Sequence, residues 1–294
     1  MQHISDDVLL QELKRRFEEN NRTIAELNEV KEKLLIINQK LSDSEALKSN
    51  FLSNIRNEIN NPLTAILGIA QYLMGNNKID TKTVSEMTRM IYAEAFNLDF
   101  QLRTIFAAAE IEAGEVYLHI SKVDITELIL RTVQSFKHIA LKKQVEIKCD
   151  INLPEQQGQP FLFTTDSEKI HLIFSNLLSN AIEYGQTSDK IDIKVRLQNN
   201  NLCISVKDYG IGIDKADHEK IFDRFVQLDH GLTKAHQGHG LGLSVVKNTI
   251  EFLEGTLTLE SEKNKGCHFL VSIPEAQALD NDESFSLDAN EELF

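Results

Sequence analysis

Three short segments carry side chains whose types and spacing suit phosphate chemistry. Asn176 and Asn180 stand four residues apart in Asn176-Leu-Leu-Ser-Asn180-Ala. On a helix their amides share one face and offer two oxygen ligands to a hard cation such as Mg2+. Asp208-Tyr-Gly210-Ile-Gly212-Ile213 follows a β-rich run. A buried carboxylate there accepts a hydrogen bond from an exocyclic amine, and the glycines let a ligand come close to the backbone. Gly238-His-Gly240-Leu241-Gly242-Leu243 opens a helical run, where free backbone N–H groups and the positive end of the helix dipole favour phosphate oxygens. Taken singly each segment is a weak signal: an Asn pair is commonplace, Asp-x-Gly also makes tight turns, and glycine runs occur in many loops.

The elements that must hold these segments are legible from periodicity. After Gly114, β-rich runs at Val145–Cys149, Ile191–Leu197, Leu202–Lys207, Thr256–Glu260 and Cys267–Ile273 alternate with helical runs at Ile125–Ile139, Glu168–Glu183 and Leu241–Phe252. This predicts an α+β sandwich, a sheet with helices on one face. Upstream the pattern is helical throughout. Leu10, Phe17 and Ile24 hold one heptad position and Leu13, Leu27, Leu34 and Leu41 the other, the seam of a parallel coiled coil, interrupted at Asn20, Lys31 and Asn38. No glycine or proline precedes Asn61, so the helix is expected to continue into the next segment and stop at Gly75-Asn76-Asn77. Thr81 is the expected cap of an amphipathic helix over about Val84 to Ile111. Two long helices and a short loop predict an antiparallel hairpin. Its apolar stripe, including Phe51, Ile55, Ile59, Ile66, Ile69, Leu73, Met87, Ile91, Leu98, Leu102 and Ile105, predicts a homodimeric four-helix bundle.

Composition narrows the function classes. With 294 residues, 41% of them hydrophobic, the chain can build more than one domain. No stretch approaches the roughly 20 apolar residues of a membrane helix, and the first residues lack a signal peptide's pattern, so the expected location is cytoplasmic. Cys149, Cys203 and Cys267 have no metal-ligand spacing and are expected to be reduced and mostly buried. A net charge of −14 without a basic patch argues against nucleic-acid binding.

In their order and spacing the three segments resemble the N, G1 and G2 boxes of the histidine kinase, gyrase and chaperone ATPase superfamily. Phe222-Asp-Arg-Phe225 resembles the F box, and Asp214 to Gly238 would be the lid. The resemblance implies ATP and Mg2+ as ligands. By it Asn176 and Asn180 hold the metal and phosphates, Asp208 reads the adenine amine, and Tyr184 lies near the base. Gly210, Gly212, Ile213 and Phe225 complete the site, and Gly238, Gly240, Leu241, Gly242 and Leu243 cradle the phosphate tail. Glu183 stands where such kinases often carry a lysine or arginine near the phosphates, so it either weakens ATP binding or points to solvent. His239 reads as an incidental side chain.

Phe51-Leu-Ser-Asn-Ile-Arg-Asn57-Glu58-Ile-Asn-Asn61-Pro62 resembles the H box of sensor histidine kinases, with Asn57 at the phosphoacceptor position. An imidazole nitrogen attacks a γ-phosphate, whereas an amide nitrogen has its lone pair delocalised into the carbonyl and is a very poor nucleophile. Autophosphorylation at this position is therefore expected to be absent. Glu58 is the expected general base, and in the resembling family a Thr or Asn at the Asn61 position orients water for dephosphorylation of a response regulator. Pro62 removes an N–H from the helix and is expected to kink it. The expected domains are a coiled-coil signalling helix over 1–45, the phosphoacceptor hairpin over 46–115, the ATP-binding domain over 116–275 and an acidic tail or linker over 276–294. The expected function is a two-component histidine kinase core that pairs with itself and with the receiver domain of a response regulator. Alternatives are a nucleotide-binding pseudokinase acting through protein interaction, including with another histidine kinase, and an active kinase whose histidine was exchanged for asparagine.

Overall fold

The computed structural model describes residues 6–76, 79–154, 160–185, 190–228 and 240–277, and within the first helix many side chains, those of Asn57 and Glu58 among them, lie outside that description. The chain forms two compact units, Met1–Arg56 and Asn57–Phe294, and helix α1 (Asp6–Gly75) contributes to both. In the first unit Arg15–Glu19, Arg22–Glu26 and Glu29–Lys33 pair across successive turns. Each such exposed pair contributes about 0.3–0.5 kcal/mol. The predicted seam residues Phe17, Ile24, Leu27 and Leu34 are all more than half exposed, while the side chains of Leu10, Leu13 and Leu41 lie outside the described set.

In the second unit α1 continues past Pro62, which is buried, and stops at Gly75. Helix α2 (Thr81–Ala113) follows. Its cap is Asp80, not Thr81: Oδ1 accepts from the Thr83 N–H at 2.9 Å and Oδ2 from the Thr83 hydroxyl at 2.6 Å. A carboxylate takes both groups and is favoured by the dipole, which a hydroxyl at Thr81 cannot match. Gly114, at φ 70°, closes α2 with its N–H on the Glu110 and Ile111 carbonyls. The predicted stripe residues Ile59, Ile66, Ile69, Leu73, Met87, Ile91, Leu98, Leu102 and Ile105 are half-buried, and Leu63, Leu67, Met90 and Phe106 are exposed. Among the described residues no helix is long and apolar enough to cross a membrane.

The remainder is a five-stranded sheet ordered β2 (Glu146–Asn152), β4 (Lys190–Gln198), β5 (Asn201–Lys207), β7 (Cys267–Pro274) and β6 (Thr256–Ser261). Strands β2 and β4 are parallel and the other neighbours antiparallel. Alternation directs Ile191, Ile193, Val195, Leu202, Ile204, Val206, Phe269, Val271 and Ile273 inward. Their core partners are Ile129 and Phe136 of α3 (Ile125–Lys143), Ile173, Phe174 and Leu177 of α4 (Ser167–Tyr184), and Val246 and Ile250 of α5 (Gly242–Phe252). All five strands and three helices expected here are present. Two strands were not foreseen, β1 (Ile120–Asp124) and β3 (Leu162–Asp166), which pair antiparallel with each other. At five residues each they are too short for a clear period, yet each ends in the aspartate that caps the next helix. Asp124 accepts from Glu127 N, and the buried Asp166 accepts from Glu168 N, Lys169 N and His119 N. Cys267 is buried and Cys149 and Cys203 are half-buried, all three free.

Candidate functional site

A cavity of about 720 Å³ opens between α2, the end of α3, the C-terminal half of α4 and the start of α5, within the size range of cofactor pockets. Asn176 and Asn180 line it from α4, one turn apart as the spacing required, together with Tyr184. Gly240, Leu241, Gly242 and Leu243 line it from the opening of α5. That helix has no side-chain cap on its first turn, which leaves backbone donors and the positive dipole end for an anion. Gly238 and His239, and residues 229–239 of the expected lid, lie outside the described residues.

Asn176 is buried, with Nδ2 donating to the Leu172 carbonyl at 2.8 Å and Oδ1 accepting from Thr104 of α2 at 3.4 Å. Oδ1 is thus turned away from its own helix backbone. Gly242 makes room for it, since a Cβ there would meet that oxygen at 2.8 Å.

The other glycines serve close contacts within the protein's own backbone, in line with the tight turn that Asp-x-Gly also allows. A Cβ on Gly210 would lie 2.0 Å from the Tyr184 carbonyl oxygen, and one on Gly212 would lie 2.0 Å from that of Glu262. Gly240, at φ +66°, packs against Phe225, whose N–H donates to the Gly240 carbonyl at 2.8 Å. These contacts tie the Asp208 loop to the end of α4 and the Phe225 turn to the start of α5. Asp208 is buried, its Oδ1 accepting from Gly210 N at 2.9 Å and Cys267 N at 3.1 Å. Burial, and after it the Asp208 carboxylate, push the neighbouring Cys267 thiol up to about 11, so it stays protonated beside that charge. Asp208, Gly210, Gly212, Ile213 and Phe225 are not among the residues lining the cavity. Ile213 is instead anchored by its N–H on the Ser261 hydroxyl at 2.8 Å.

Glu183 neither faces solvent nor stands as an unopposed charge. Its carboxylate accepts from Lys143 Nζ at 2.6 Å, and both residues line the cavity. Sequence reasoning missed this wall, with Lys142, Lys143 and His138 of α3, and missed Asn97, Phe100, Gln101 and Thr104 of α2. The basic last turn of α3 was a visible signal, but nothing local pointed it at this cavity. On the phosphoacceptor side, Asn61 is exposed on α1, and Asn57 and Glu58 lie on the same helix with side chains outside the description.

Residues 165–277 match the family model of the histidine kinase-, DNA gyrase B- and HSP90-like ATPase. The sensor-like histidine kinase SenX3 of Mycolicibacterium smegmatis is 29% identical over 231 residues, covering 79% of this chain and 58% of that protein. The autoinducer 2 sensor kinase/phosphatase LuxQ of Vibrio vulnificus is 31% identical over 236 residues, 79% of this chain and 27% of its own length. The crystal structure of full-length ShkA in complex with AMPPNP matches with TM-score 0.54 at 23% identity, over 77% of this chain and 46% of that one, a likeness of fold. The matched residues lie within the second unit and are similar to the ATPase domain of this family. Family model and relatives together support a sensor histidine kinase core, in a chain that spans between a quarter and three-fifths of these relatives' length.

Proposed function

We propose that this chain is the core of a two-component histidine kinase that binds ATP with Mg2+ and engages the receiver domain of a response regulator, without a phosphoacceptor histidine of its own. The observation that carries the reading is the meeting of Asn176 and Asn180 with the uncapped start of α5 in one cavity. The donor set fits the ligand. Both amides are neutral oxygen donors, so the nucleotide phosphates would supply negative charge to a Mg2+ held beside them. Asp208 is buried and outside the cavity lining, and its role of accepting from an adenine amine is carried by the family resemblance.

Dimerisation through the half-buried stripes of α1 and α2 and through the exposed heptads of α1 completes the reading, in the cytoplasm. The Asn61 amide on α1 is the group that orients water on a phosphorylated receiver domain, with Glu58 three residues earlier in the sequence as the general base. The relative LuxQ is a sensor kinase/phosphatase, which favours this arm. The test is labelling with γ-phosphate-marked ATP and Mg2+ of the chain and of Asn57→His. Acid-labile label on the histidine variant alone supports a competent ATP site that lacks only its acceptor. Absence of label from both folded proteins refutes that competence. It favours the second reading, which the amide at Asn57 motivates, of a pseudokinase acting by protein interaction, including with another histidine kinase. Release of phosphate from a phosphorylated receiver domain, lost in Asn61→Ala, separates the phosphatase from that pseudokinase.

A further inference from the structure

We infer that Lys143, held by Glu183, is the cation that contacts the nucleotide phosphates in this cavity, an assignment that rests on the ATP reading above. Asn176, Asn180 and Glu183 recur at i, i+4 and i+7, one stripe of α4 facing the cavity. An acid at the third position of that stripe is unfavourable for a polyanion unless a cation accompanies it. The structure supplies one from 40 residues away: Lys143 Nζ donates to the Glu183 carboxylate at 2.6 Å and to the Glu183 backbone carbonyl at 3.1 Å.

An ammonium has three N–H donors. Two are directed at Glu183, which leaves a third for a phosphate oxygen while the paired carboxylate fixes where the ammonium sits. Both partners are about one-third exposed or less, so the charge lies in the wall and is not free in solvent. The described cavity lining holds two Lys or Arg side chains, Lys142 and Lys143, both in the last turn of α3, and Lys142 is the exposed one. His138 cannot take the role in its neutral form. Its Nδ1 donates to the Ser135 carbonyl at 2.9 Å, leaving a buried Nε2 that is an acceptor and finds no hydrogen-bond partner. The acid on α4 is therefore a positioning residue, and the phosphate contact is made from the neighbouring helix α3.

Calorimetric titration with ATP plus Mg2+, and separately with adenosine, tests this on the full chain, Lys143→Ala and Lys143→Ala/Glu183→Lys. Loss of a charge-assisted contact weakens ATP about tenfold in Lys143→Ala, with adenosine binding unchanged. The double variant, which places a cation directly on α4, recovers most of the ATP affinity. Equal ATP affinity in the parent and Lys143→Ala overturns the assignment while leaving the ATP reading standing. Equal weakening of ATP and adenosine makes Lys143 a packing residue and overturns it too. A parent chain that binds neither ligand removes the ATP reading itself, and this assignment with it.

Discussion

Gly242→Ala tests whether Asn176 is positioned by the missing side chain opposite it. The added methyl would sit 2.8 Å from Asn176 Oδ1, so that oxygen has to move out to the 3.4 Å at which ordinary contact begins. Asn176 has little freedom to comply, being 3% exposed and held by its 2.8 Å hydrogen bond to the Leu172 carbonyl. Displacing the amide weakens buried hydrogen bonds by about 1–2 kcal/mol. Alanine at the start of α5 returns up to about 1 kcal/mol of helix propensity. The two nearly cancel, and the expected loss of stability is about 1 kcal/mol or less. Binding does not cancel: under the proposed function one oxygen ligand is taken out of line, and MgATP affinity is expected to fall by roughly 10- to 100-fold. Urea unfolding and calorimetric titration of the parent and variant read the two effects separately. A variant stabilised by about 1 kcal/mol with unchanged MgATP affinity refutes the reasoning, since propensity alone would then account for it.

Gly210→Ala places its methyl 2.0 Å from the Tyr184 carbonyl oxygen, a backbone wall that cannot rotate away. The expected loss is more than about 3 kcal/mol by urea unfolding, and a loss below 1 kcal/mol would show that the Tyr184 turn yields. His171 links α3 to α4 through Nδ1 and the Thr132 hydroxyl at 2.9 Å. Burial, followed by the charge of Arg103, pulls this imidazole below its ordinary 6.5, against Asp99 and Glu168. The unfolded chain therefore binds the proton first, so the contribution is full above 6.5 and is lost as pH falls through the lower folded value. The urea midpoint should drop more steeply from pH 7.5 to 5 in the parent than in His171→Gln, and parallel slopes would refute the assignment.

Much of the architecture was written locally. β-rich runs such as Ile191–Leu197 and Leu202–Lys207 marked strands because β-branched residues suit a pleated surface, and all five strands of the main sheet were read this way. The four-residue spacing of Asn176 and Asn180 placed both amides in one cavity because a helix returns to the same face each turn. The Asp80 cap was misplaced by one residue, since Asp80 and Thr81 are both good caps by type and only the contacts to Thr83 distinguish them.

Local sequence thus determined the long helices, the strands of the main sheet and which side chains share a face, because those properties follow from dihedral angles repeated along several residues, whereas the five-residue strands β1 and β3 were too short to show a period. What each face meets was decided by the tertiary structure. The Lys143–Glu183 pair, the contact of Thr104 with Asn176 and the fit of Gly210 against the Tyr184 carbonyl join residues 26 to 72 positions apart. Such neighbours are chosen by packing of the whole core, where a carboxylate that looks misplaced in the sequence acquires its counterion and a glycine that looks open to ligand is filled by the protein's own backbone.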